Sequence, residues 1–119
     1  MKIVIQRVSK ASVIIHKNKV AEIKNGLLIL LGIVDEDAQE DIDFLVRKIA
    51  NLRIFNGENG VMNHSLLETN GEVIVVPQFT LQASTKKGNR PSYIKAAKSE
   101  IAIPLYKNFL QTLEKELHK

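Results

Sequence analysis

β-branched and other apolar residues crowd the first third of the chain in short runs. Ile3–Val8 and Ser12–Ile15 predict two strands. The polar stretch His16-Lys17-Asn18-Lys19 predicts the turn that leads into a third strand over Val20–Ile23. Asn25-Gly26 is a further turn signal, and the almost wholly apolar Leu27–Val34 that follows predicts a central strand covered on both faces. The period then changes. Ile42, Leu45, Val46, Ile49 and Ala50 recur at spacings of three and four, which predicts an amphipathic helix from about Ala38 to Leu52. Arg53-Ile54-Phe55 reads as a short strand ended by Asn56-Gly57-Glu58-Asn59-Gly60, and Asn70-Gly71 turns the chain into the apolar run Val73–Val76. Pro77, which has no N–H for a sheet ladder, is expected to end that strand near Val76. Ser99 with Glu100 can start a last helix, on which Leu105, Phe109, Leu113 and Leu117 share a face with Tyr106 and Leu110 beside them. Pro104 requires that this helix either start near it or bend there.

Helices too few to alternate with strands favour an α+β fold, in which two helices pack on a mainly antiparallel sheet. The chain has 119 residues, no repeats and no linker, so residues 1–119 are expected to form one domain. Cysteine is absent, which excludes disulfides, a thiolate nucleophile and any cysteine zinc site. The longest apolar run is far below the ~18–20 residues of a membrane span, and the N-terminus has no signal-peptide pattern, so a cytoplasmic location is expected. The charge is unevenly placed. Lys86, Lys87, Arg90, Lys95 and Lys98 follow Val73 with no acidic residue up to Ser99, whereas the whole chain has a net charge of +4, so the remainder is slightly acidic. The six carboxylates between Asp35 and Asp43 are read as complementing a helix N-terminus.

Candidate chemistry concentrates after the Val73–Val76 strand. Gln78, Phe79 and Thr80 place an amide, a ring and a hydroxyl at a strand end. Thr80 could act as nucleophile or hydrogen-bond donor, or satisfy its own backbone; Gln78 could orient a carbonyl or cap a turn; Phe79 could be a substrate platform or core. Backbone N–H groups at Phe79 and Thr80 could bind a developing oxyanion. Lys86, Lys87 and Arg90 around Gly88-Asn89 suit phosphate contact, or form a solvated basic face, and Tyr93 could stack on a base. His16, His64 and His118 lack metal-ligand spacing, and no phosphate-binding glycine loop or nucleophile elbow is present, so neither metal nor cofactor is expected.

Six strings occur in order: Gln6-Arg7-Val8 with Ala11-Ser12-Val13, Gly26 through Gly32, Lys48 through Phe55, Val61-Met62-Asn63, Gln78-Phe79-Thr80-Leu81, and Lys87-Gly88-Asn89-Arg90-Pro91-Ser92. Over essentially its whole length the chain resembles the D-aminoacyl-tRNA deacylases, also called D-tyrosyl-tRNA deacylases. The resemblance implies their fold, with a barrel-like sheet and two helices. It implies a cytoplasmic, metal-free homodimer that hydrolyses the ester between a D-amino acid, or glycine, and the 3′ end of tRNA in a pocket at the dimer interface. Thr80, Gln78 and Phe79 would be its catalytic group, with Thr80 orienting substrate while the 2′-hydroxyl of the tRNA assists water. Pro77, Lys86, Lys87, Arg90 and Arg7 would bind substrate.

Two departures from the family pattern stand out. Pro77 occupies a position usually held by serine, which removes a hydroxyl and a backbone donor from the pocket rim. The family also continues past the last helix into strands whose Gly-Pro pair, close to Arg7, rejects L-amino acids. The sequence stops at Lys119, so a shortened form is expected, with weak activity and poor chiral discrimination. Two other readings follow from those departures: a tRNA- or RNA-binding module without catalysis, and an inactive subunit paired with a complete homologue.

Overall fold

The computed structural model describes residues 1–78 and 97–118. Four strands come first: β1 (Lys2–Val8), β2 (Ala11–Ile15), β3 (Asn18–Ile23) and β4 (Gly26–Gly32). They lead to helix α1 (Gln39–Asn51), strands β5 (Phe55–Asn56) and β6 (Met62–His64), the one-turn helix α2 (Leu66–Thr69), strand β7 (Glu72–Pro77) and the long helix α3 (Ser99–Leu117). The main sheet has the order β1-β4-β7, so the apolar run supplies the central strand as expected. β1 pairs with β4 antiparallel, but β4 pairs with β7 in parallel. The two small sheets, β2-β3 and β5-β6, are antiparallel hairpins.

Side chains opposite one another in register point to the same face. Ile3 and Ile5, Leu27, Ile29 and Leu31, and Val73 and Val75 therefore form one face. On it Leu27, Ile29 and Leu31 are fully buried, as are Ile42, Val46 and Ile49 of α1 and Phe109 of α3. This is the hydrophobic core, closed by Ile33, Leu66 and Leu113. The face of α3 read from the sequence is thus the one that packs, with Leu105, Tyr106 and Leu117 at its margin. The two long helices are also joined by polar side chains. Asn108 Nδ2 donates to Gln39 Oε1, and Thr112 Oγ1 donates to Asn108 Oδ1 at 3.1 Å.

The acidic stretch before and within α1 has local work to do. Asp41 Oδ2 accepts from the Ala38 amide at 2.9 Å, satisfying one of the donors that a helix start leaves over, since the alanine at the cap position cannot. Asp37 accepts from the Val34 amide at 2.8 Å with one oxygen and pairs with the Met1 ammonium through the other.

Three expectations are corrected in detail. The segment Arg53-Ile54-Phe55 pairs only from Phe55 onward, because the chain leaves α1 at Leu52 and needs two extended residues to reach β6. Helix α2 was not foreseen. Its start carries reciprocal bonds, Glu68 N–H to Ser65 Oγ and Ser65 N–H to Glu68 Oε1, both 3.2 Å, the signature of a capping box. His64 Nδ1 lies 3.1 Å from Glu68 Oε2, and this hydrogen bond, aided by the Ser65 amide, holds the Glu68 carboxyl below the usual carboxylate range. Third, Gly26 is not a turn glycine. It is a paired strand residue, opposite both Val8 and Glu72, and the neighbouring backbone leaves no room for a side chain. Helix α3 starts at Ser99 as expected and contains Pro104 within its length.

The β2-β3 turn is tighter than the four polar residues implied. Ile15 pairs with Asn18, leaving only His16 and Lys17 in the loop, at φ of 49° and 67°. Two successive positive φ values suit the twist of a two-residue hairpin but strain residues that carry a Cβ. Replacing His16-Lys17 by Asn-Gly is expected to raise stability by about 1 kcal/mol. A higher urea midpoint at unchanged slope checks it.

Candidate active site at the end of β7

Strand β7 ends at Pro77, one residue past the expected Val76, and the way the proline pairs defines the site. Glu72 N–H donates to Asn25 O at 3.1 Å and Gln78 N–H donates to Leu31 O at 2.8 Å. Amides of alternate residues point the same way, so Glu72, Ile74, Val76 and Gln78 face β4, while Val73, Val75 and Pro77 face away from it. Pro77 is therefore paired opposite Leu31 as the last strand residue, with its missing N–H on the side that owes β4 nothing. The proline does not end the pairing; it delivers Gln78 to the end of β4.

Beyond Gln78 the chain runs through residues 79–96 and returns at Ala97, whose N–H donates to Ile33 O at 2.8 Å. Departure and return are thus both hydrogen-bonded to carbonyls at the end of β4. Helix α3 starts two residues later. Between these elements lies a cavity of about 250 Å³ whose walls include Leu31, Pro77, Gln78, Ala102 and Tyr106. The walls are mostly apolar, with Gln78 and Ser99 among the polar residues that line it. Such a lining suits a partly apolar ligand oriented by a few polar contacts. Tyr106, read from the sequence as lying beside the apolar face of this helix, donates its Oη hydrogen to Val75 O at 3.2 Å.

Of the residues singled out from the sequence, Pro77 and Gln78 line this cavity. Phe79, Thr80, Lys86, Lys87 and Arg90, with Tyr93, lie outside the described residues. Arg7 is described and is elsewhere. It pairs opposite Leu27, whereas Pro77 pairs opposite Leu31, which separates them by about 13 Å along the strands and two strand spacings of about 4.8 Å across. Its guanidinium donates to Ile54 O at 2.7 Å and Asn56 Oδ1 at 3.1 Å, in a second cavity of about 500 Å³ bordered by Asn25, Phe55 and Thr69. Among the described residues, no three His, Cys, Asp or Glu side chains converge as a metal site would require, and no helix is long and apolar enough to cross a membrane.

The chain with this three-stranded mixed sheet and two long helices belongs to the D-Tyr-tRNA(Tyr) deacylase family, whose sequence profile matches residues 4–119. It is 66% identical to the D-aminoacyl-tRNA deacylase of Flavobacterium psychrophilum and 60% identical to that of Bacteroides thetaiotaomicron, in each case over all of this chain and 79% of the relative. Among solved structures, a protein described as c-Myc DNA Unwinding Element Binding Protein superposes with a TM-score of 0.91 at 41% identity, over 97% of this chain and 77% of that one. A probable eukaryotic D-amino acid tRNA deacylase shares the fold, with a TM-score of 0.82 at 16% identity, over 98% of this chain and 68% of that one.

Proposed function

We propose that this chain is an ester hydrolase that removes a D-amino acid, or glycine, from the 3′ end of tRNA in the cytoplasm. The observation that carries this reading is the register of β7, which brings Pro77 and Gln78 to a cavity at the sheet end in a chain about 60% identical to named D-aminoacyl-tRNA deacylases over its full length. In the proposed reaction water adds to the ester carbonyl, the acyl C–O bond breaks, and free amino acid and tRNA with its terminal hydroxyl restored leave. Gln78 orients the ester, Phe79 and Thr80 follow it at the strand end, and their backbone N–H groups take the charge that develops on the carbonyl oxygen. No side-chain base is required if the tRNA 2′-hydroxyl assists the water, leaving Thr80 an orienting role. Lys86, Lys87 and Arg90 neutralise phosphates of the tRNA end, a contact that weakens with salt.

The homodimer belongs to the same proposal. Arg7 and Pro77 stand at opposite ends of one sheet, so one protomer does not bring them together. A second copy placing its Arg7 end against the Pro77 end of the first would unite them.

The test is release of amino acid from D-tyrosyl-tRNA and glycyl-tRNA, with L-tyrosyl-tRNA as the comparison. Release from D-tyrosyl-tRNA at least about tenfold above the uncatalysed rate is expected. Rates equal to the buffer control for every ester would refute the reading, and salt-sensitive retention of tRNA without cleavage would replace hydrolysis by binding.

A further inference from the structure

We propose that Tyr106 is a positioning residue for the strand end that carries Gln78. For its effect on turnover this rests on the deacylase reading above; for its effect on the strand it does not. Three observations converge. The Val75 carbonyl faces away from β4, so the sheet partner offers it no donor, and the Tyr106 hydroxyl supplies one at 3.2 Å across 31 residues of sequence. The same tyrosine is a wall of the cavity that Pro77 and Gln78 also line. Finally, the helix that bears it is fixed at both sides of that position. Ala97 is bonded to Ile33 just before α3 starts, and Phe109, three residues after Tyr106, is fully buried.

β7 is thereby held from two directions near its end. On one side Gln78 N–H is bonded to Leu31 O, and on the other the carbonyl three residues earlier is bonded to a side chain anchored in α3. Among the described residues the sheet bonds of β7 run along its β4 side, and an attachment on the other side opposes rocking about that row of bonds. Misplacing a reacting group by about 1 Å can cost a hundredfold in rate, so a tether of this kind acts on turnover more than on affinity. Tyr106 touches neither the ester nor the water in this scheme.

The test is Tyr106→Phe, which keeps the ring and its packing and removes only the donor. On D-tyrosyl-tRNA, kcat is expected to fall about tenfold with KM within about twofold. In the same variant, hydrogen exchange at the Val76 and Gln78 amides is expected to speed up about tenfold, while exchange at Leu27 and Ile29 in β4 stays at the wild-type rate. Wild-type kcat in the variant, or unchanged exchange at Gln78, overturns the proposal. Faster exchange throughout β4 and β7 also overturns it, since the hydroxyl would then be a general stabiliser. A wild-type protein inactive on every ester removes the deacylase reading alone, and the exchange measurement still decides whether Tyr106 holds the strand.

Discussion

Gly26→Ala is expected to cost about 3 kcal/mol or more and to break the start of the β4–β7 pair. A Cβ at Gly26 would lie 2.7 Å from the Glu72 carbonyl carbon and 2.9 Å from the Glu72 nitrogen, and closer still to the carbonyl oxygen. These are main-chain atoms of the neighbouring strand, so no rotamer change relieves the contact. The strands must separate or slide, and Gly26 is also held by Val8 on the other side. Because β4 and β7 run in parallel register from Gly26–Glu72 to Leu31–Pro77, a shift at the first rung displaces the last, where Gln78 begins the candidate site. The loss is a large share of the ~5–15 kcal/mol that holds a domain together. Urea unfolding should show a much lower midpoint, and deacylation per folded molecule should fall as well. A midpoint within about 0.5 kcal/mol of the parent would mean that the two strands are not packed as closely as described.

The second large effect is expected at Phe109. Its ring is fully buried between the sheet and α1, so Phe109→Ala removes apolar contact and leaves a cavity, at a cost of about 3–5 kcal/mol. The helix loses its main anchor three residues from Tyr106, so the cavity beside Gln78 should loosen together with the core. Phe44 is the control. It lies on α1 with 57% of its surface exposed, and Phe44→Ala should change stability by about 0.5 kcal/mol or less. Equal losses at the two positions would contradict the placement of α3 on the sheet.

The parts of the fold legible in the sequence are those in which one segment's own pattern decides the outcome. Leu27–Val34 is almost wholly apolar and supplies the central strand, which ends at Gly32; the spacing of Ile42, Val46 and Ile49 becomes the buried face of α1, and that of Phe109 and Leu113 the buried face of α3. What escaped depends on a neighbour. The parallel direction of β7 against β4 is a property of the pair, and nothing in Val73–Val76 encodes it. That direction decides which amides face β4, and hence that Pro77 stays in the strand. The tight contact at Gly26 likewise comes from Glu72, forty-six residues away, while the adjacent Asn25 made it resemble a turn. For α2 the signal was present, a serine followed three residues later by glutamate, but a helix of four residues has no period to read.

For the candidate site, Pro77 and Gln78 were singled out from residue types, and both line a cavity. The link from Tyr106 to Val75 spans 31 positions and could not be read locally. Arg7 was grouped with these residues through family resemblance, and its distance from them within one chain follows only from strand register.

The paired anchors at Gln78 and Ala97 have a consequence for how such proteins can diverge. Both ends of the eighteen-residue stretch between them are tied to one strand, at carbonyls two residues apart. The strand end and the approach to α3 therefore hold their places through the same pair of neighbouring carbonyls. A relative that keeps both bonds keeps the strand end and the start of α3 in the same relation, and a substitution that breaks either bond acts on both.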